Sequence, residues 1–251
     1  MINLSIQDDV AVVTLARGKA NALDVELCEA LTAQFADLLK LSTAAVIVTG
    51  QGSIFSAGVD LLRLLDGGPA YVRRFLPALH RLYDTIFFYP KPVVAAVNGH
   101  AVAGGCILAC AADRRLMARA HGRIGVTELL VGVPFPAMAF EVMRHVTAPH
   151  RFEEVMIGAA TYPPEAAATL GLIDEVINSD ALMDRAITAA RALAALSPPA
   201  FALTKQRSRQ ITADRLAKDG VRYDQSVENV WTAPETFDRI RSYVTRTFKK
   251  Q

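Results

Sequence analysis

Three segments of this 251-residue chain carry the residue types from which a reaction site is built. Residues 55–61, FSAGVDL, follow an apolar run and precede a short helical one. Their small side chains leave the backbone open, so its N–H groups could point at a ligand oxygen. The same residues also read as a tight strand-to-helix turn with Asp60 as the cap. Residues 98–106, NGHAVAGGC, again pass from an apolar run into a helix, opened here by Gly104 and Gly105. Free N–H groups and the helix dipole favour negative charge at such a point. The glycine spacing fits neither the dinucleotide fingerprint nor a phosphate loop ending in Gly-Lys-Ser/Thr, and close strand-on-helix packing would use the same glycines. Two such loops in one chain suit a two-donor site for a developing oxyanion. Residues 125–132, GVTELLVG, set Glu128 in an apolar stretch. If buried, its carboxyl would be raised into the range of a base near neutral pH. An exposed turn or a helix N-terminus is the plainer alternative for a lone glutamate.

Other chemistries find little support. None of the five histidines stands in a metal-ligand spacing, so no metal is expected. His100, beside the second loop, reads as structural or pocket-lining. Cys106 and Cys110 lie one helical turn apart and read as small core residues, and Cys28 leaves the cysteine count odd, against a disulfide framework. The 27 basic and 25 acidic residues give a formal charge of +2, which gives no reason to invoke nucleic acid or an anionic membrane. No apolar run approaches the roughly 18 residues of a membrane span. The first ten residues lack a basic and apolar leader pattern, and TRTFKKQ is not a peroxisomal tripeptide, so the cytoplasm is the expected compartment.

The elements that must position these segments alternate. β-rich runs at 2–6 and 10–15 flank Gln7-Asp8-Asp9. After the polar RGKANALD loop, Asp24 can cap a helix with Leu27, Leu31, Phe35 and Leu38 on one face. Strands are expected at 45–49, 93–97 and 115–118. Helices are expected at 69–88, ended by Tyr89-Pro90-Lys91-Pro92, and from Gly104 to about residue 112. The last third, from Pro136, reads as helices (165–170, 181–196, 199–210) with one strand at 172–176. With 52% hydrophobic residues and only 7% aromatic, the chain has ample aliphatic material for a core. It reads as an α/β body, residues 1–196, followed by a helical extension, 197–251, with a possible hinge at Ser197-Pro198-Pro199.

FSAGVDL, NGHAVAGG and the later GLIDEV, in that order, resemble the crotonase (enoyl-CoA hydratase/isomerase) superfamily over essentially the whole chain. The resemblance implies a spiral of ββα units with a helical C-terminal region. It also implies an oxyanion hole for an acyl-CoA thioester, whose two N–H groups fall by motif position on Ala57 and Gly104. The loop KANALD, with Lys19, Ala20, Asn21, Ala22 and Leu23, is similar to the family's segment along coenzyme A. Ser56, Asp60 and Leu61 belong to the first loop, and Phe248 and Lys249 to a tail similar to those that approach the CoA phosphates. Leu61, Leu65, Phe75, Leu79, Ile107 and Phe135 are candidates to line an acyl pocket. No cofactor is implied beyond the CoA thioester, which is the substrate. Members of the family commonly form trimers or dimers of trimers, so a homotrimer or hexamer is expected.

The reaction turns on two positions. Hydratases of the family carry two glutamates that position a water; one matches Glu128, the other falls on Ile107, which can neither accept a proton nor hold a water. One base suffices to move a double bond, and the segment around VPFPA looks like the Δ3,Δ2-enoyl-CoA isomerase branch. A hydratase recruiting another acid, an acyl-CoA hydrolase and a non-catalytic acyl-CoA-binding protein are the rival readings.

Overall fold

The computed structural model describes residues 1–248. Its centre is a six-stranded sheet in the order β1 (Ile2–Gln7), β2 (Val10–Leu15), β3 (Ala45–Gly50), β5 (Val93–Val97), β7 (Arg114–Arg119) and β9 (Glu175–Asn178). β1 and β2 form an antiparallel hairpin and every other pairing is parallel. A second, three-stranded parallel sheet joins β4 (Ile54–Ser56), β6 (His100–Val102) and β8 (Ile124–Gly125). The chain therefore winds as a spiral. Each turn lays one strand in the large sheet and the next in the small one. A helix follows: α2 (Leu61–Phe87) after β4 and α3 (Gly104–Cys110) after β6, while α4 (Ala137–Val146), α5 (Phe152–Gly158) and α6 (Pro164–Thr169) lie between β8 and β9.

The period-2 geometry of strands explains why the central runs β2, β3 and β5 are almost wholly apolar. Ala11, Val13, Val46, Val48, Val93, Ala95 and Met117 face a core shared with α1 (Val25–Leu39), α2 and α3. Their neighbours Val10, Val12, Ala45, Ile47, Val94, Ala96, Leu116 and Ala118 face the opposite side, where α7 (Leu182–Ala194) covers them with Leu182, Ala186, Ala189 and Ala190. Over β2, β3 and β5 both faces are closed, so no polar alternation survives there, whereas the edge strand β1 is largely exposed.

Local chemistry fixes the helix ends. Asp24 accepts from the Leu27 N–H at 2.8 Å, the expected cap, and its other carboxylate oxygen pairs with Arg17. Lys91 donates to the carbonyls of Leu38 and Leu41 at and just beyond the far end of α1. α2 begins eight residues before the expected Pro69, because Asp60 caps an additional short segment that Gly68 (φ 61°, ψ −162°) joins to the main helix through a kink. The expected strand at 172–176 lies instead at β9. Asp174 accepts from the Arg115 N–H and pairs with its guanidinium, so strand pairing starts only at Glu175 opposite Leu116.

The C-terminal region comprises α8 (Pro198–Ser208), α9 (Gln210–Arg215), a π-helical turn at Leu216–Gly220, α10 (Val221–Trp231) and α11 (Pro234–Phe248). Val227, Trp231, Phe237 and Ile240 join the main core, and the Trp231 indole donates to the Pro134 carbonyl at 2.8 Å. Lys205 and Arg209 clamp Asp113 at 2.7 and 2.8 Å. This region shares its core with the body. No single described helix is long and apolar enough to cross a membrane.

Candidate active site

The site grows from two interlocked loops. Between β6 and α3, Ala103 adopts φ 51°, ψ −126° and turns the chain so that Gly104 opens the helix. A first-turn N–H has no partner within its own helix, so that of Gly104 is free of the ladder. The loop after β4 lies against this turn. A Cβ on Gly105 would sit 2.3 Å from the Ser56 carbonyl oxygen, and one on Gly58 (φ 83°) 2.5 Å from that of Val102 and 3.0 Å from the Gly104 nitrogen. The glycines are there because two backbones touch.

The 19–24 loop holds the β4–α2 loop from the other side. Leu23 and Val59 form a parallel bridge in which the Leu23 N–H donates to the Gly58 carbonyl at 2.7 Å and the Asp60 N–H to the Leu23 carbonyl at 2.9 Å. In that pattern the N–H of Val59 itself points away from Leu23. The Ala57 N–H donates to the Ala20 carbonyl at 2.9 Å. This corrects the expected donor pair: Ala57 has its N–H committed to the scaffold, and the N–H beside Gly104 that has no partner among the described residues is that of Val59.

Two other residues expected at the ligand have their side chains turned inward. Asn21 and Ser56 are fully buried. Asn21 accepts from the Arg17 N–H and donates to the Ile54 carbonyl, while the Ser56 hydroxyl donates to the Asn21 carbonyl and accepts from the Gly58 N–H. Their side chains hold the loops and present no face to a ligand. Asp60 spends one carboxylate oxygen on the N–H groups of Leu62 and Arg63. Lys19 is exposed, Ala20 and Ala22 are half-buried, and Leu23 is buried with its side chain near Gly104. His100 accepts from the Arg123 N–H, a structural role. α11 ends at Phe248, and Lys249 lies outside the described residues.

Glu128 opens a 3-10 turn, Glu128–Val131, closed by Gly132 at φ 79°. It is 5% exposed, and its Oε2 has no hydrogen-bond partner among the described residues. Burial raises its pKa to about 7, against the opposing pull of the Glu128 and Thr127 N–H groups. The exposed-turn alternative is thereby excluded. α11 packs over this turn: Arg239 Cδ would lie 2.7 Å from a Cβ on Gly132. Ile107, in the first turns of α3, is 2% exposed, and Phe135 is 5%. Phe75 and Leu79 are buried in the same core, with Leu61 and Leu65 packed on its edge. The sequence reading missed Tyr83, a fully buried α2 residue whose hydroxyl donates to the Gly104 carbonyl at 2.9 Å. No local pattern marks it, because its partner is 21 residues away. Among the described residues, no cluster of three His, Cys, Asp or Glu is placed to hold a metal.

A family model described as enoyl-CoA hydratase/isomerase matches residues 5–237. The mitochondrial enoyl-CoA delta isomerase 1 of Rattus norvegicus is 31% identical over 83% of this chain and 73% of its own. A putative enoyl-CoA hydratase of Thermus thermophilus is 32% identical over 93% of this chain and 91% of its own. The crystal structure of a probable enoyl-CoA hydratase from Mycobacterium tuberculosis superposes with a TM-score of 0.84 at 32% identity, covering 92% of this chain and 99% of that one. Human mitochondrial delta3-delta2-enoyl-CoA isomerase superposes with a TM-score of 0.94 at 24% identity, over 100% and 99% of the two chains, a likeness of fold.

Proposed function

This chain belongs to the enoyl-CoA hydratase/isomerase family, and we propose that within it the protein moves the double bond of an enoyl-CoA from C3 to C2. The observation that carries this reading is Glu128: a buried carboxyl raised to about 7, with apolar Ile107 where the family resemblance expects a second glutamate. The delta isomerase relatives agree with it, and the hydratase relatives make the reaction the point to test.

C2 of a 3-enoyl thioester lies between a carbonyl and an alkene, so its proton is acidic. Glu128 takes that proton. The electron pair moves through the alkene and the carbonyl, and the resulting dienolate oxygen accepts from the N–H groups of Val59 and Gly104. The Glu128 carboxylic acid then delivers its proton to C4, the C2=C3 bond forms, and the base is regenerated. No water enters. Each well-aimed donor contributes on the order of 3 kcal/mol, and the positioned base a further ~100- to 10,000-fold.

The deciding experiment offers purified protein 3-enoyl-CoA and 2-enoyl-CoA separately. Conversion of the first into the second, with slow or no hydration, is expected; rapid hydration without double-bond migration refutes the isomerase. Release of free CoA would point to a hydrolase. Glu128→Gln should abolish turnover and leave acyl-CoA binding intact, whereas unchanged turnover removes Glu128 from the mechanism. A homotrimer or dimer of trimers is the assembly proposed from the resemblance, with sedimentation as its test.

A further inference from the structure

We propose that Tyr83 is a positioning residue of the oxyanion site: by donating to the Gly104 carbonyl, its phenol holds the turn into α3 so that the Gly104 N–H stays aimed at the substrate oxygen. The inference rests on the proposed Val59–Gly104 donor pair and goes beyond it by naming what keeps one donor in place.

The turn needs such a hold. Ala103 carries a side chain at φ 51°, ψ −126°, a conformation that persists only where the surroundings fix it. Ala103 has no side-chain cap to offer, and α3 is only seven residues long, too short to stabilise its own first turn. Two anchors come from outside the helix. The Ala103 N–H donates to the Gly125 carbonyl at 2.8 Å, which ties down the residue before the donor. The Tyr83 hydroxyl donates to the Gly104 carbonyl at 2.9 Å, which ties down the residue that bears it. Contact is close, since a Cβ on Gly104 would lie 2.8 Å from the phenol oxygen.

Tyr83 is suited to this task. It stands near the end of the 27-residue α2, between the buried Leu82 and Ile86, on a helix that packs against α1, α3 and α4 (Ala137–Val146). Burial pushes its phenol well above the ordinary value, so it remains a donor at any working pH. A phenylalanine would fill the same apolar space; a buried hydroxyl is costly unless it is bonded, and the bond here goes to Gly104.

The test is Tyr83→Phe, which keeps the ring and removes the donor. Its separating readout is affinity for two ligands: a saturated acyl-CoA, whose carbonyl is neutral, and a 3-oxoacyl-CoA, followed through the near-ultraviolet band of its bound enolate. Enolate affinity and kcat on 3-enoyl-CoA should each fall about tenfold, with KM and saturated acyl-CoA affinity within about twofold of the parent. In an Ala103→Gly background, where the turn is relieved, the selective loss should shrink to about threefold. That background also carries the test if the single variant fails to fold. Equal loss for both ligands, or no selective loss in either background, overturns the proposal. The enolate arm does not depend on which reaction the protein catalyses, so a parent that hydrates refutes the isomerase alone. A parent with no enolate band refutes the oxyanion pair and Tyr83 with it.

Discussion

Replacing Glu128 by glutamine should stabilise the protein, and only at high pH. The carboxyl is 5% exposed, has one oxygen without a partner among the described residues, and is raised from 4.5 to about 7. At about 1.4 kcal/mol per pH unit, ionising it in the folded chain costs about 3 kcal/mol more than in the unfolded one. Between pH 4.5 and 7 the folded state binds more protons than the unfolded state, so stability falls as pH rises through that window and levels off above it. Below 4.5 both states are protonated and the penalty vanishes. Glu128→Gln keeps the shape and removes the charge. Its melting temperature should match the parent within about a degree at pH 4, below both midpoints. At pH 8.5 it should exceed the parent by several degrees, with about 10 °C as the upper bound for a chain of this size. Thermal unfolding of the pair at the two pH values is the assay. A variant that melts with or below the parent at pH 8.5, or whose gain is the same at both, refutes a buried, desolvated Glu128.

The same carboxyl should set the acid limb of the rate profile. As a base it must be ionised, so kcat/KM should rise about tenfold per pH unit below its midpoint near 7 and level off above. A profile already flat from pH 5.5 would assign the base elsewhere. Gly105→Ala forces a Cβ to 2.3 Å from the Ser56 carbonyl, so it should cost about 1–3 kcal/mol of overpacking or drive the two loops apart. Denaturant unfolding together with turnover measures both effects, and a variant of parental stability and activity would show that the loops do not touch.

The large sheet was legible in the sequence because its strands are short apolar runs bounded by turn residues, and the cap at Asp24 because capping is a local contract. The start of α2 was not. Gly67-Gly68-Pro69 reads as a break, and only Asp60 bonding forward to Leu62 and Arg63 shows that the helix begins before it. β9 slipped because Leu172 and Ile173 are apolar enough for a strand, yet Asp174 is drawn out to Arg115 before pairing starts. Glu128 could be named from its setting, but its burial comes from segments distant in sequence. Choosing between Ala57 and Val59 required knowing which N–H groups the 19–24 loop had already taken, a fact of tertiary pairing that the motif does not contain.

That loop has a further consequence. Its composition is that of a variable surface connection, where insertions are ordinarily tolerated. Yet Ala20, Asn21 and Leu23 are stitched to residues 54–60 as a strand is to its sheet. One extra residue between Gly18 and Asp24 would throw this stitching out of step and turn the neighbouring N–H groups with it. The region therefore accepts exchanges of side chain at Lys19 or Ala22 but no change in length, and variants shuffled across it from relatives should be cut outside residues 17–60 to keep the two loops as one inherited piece.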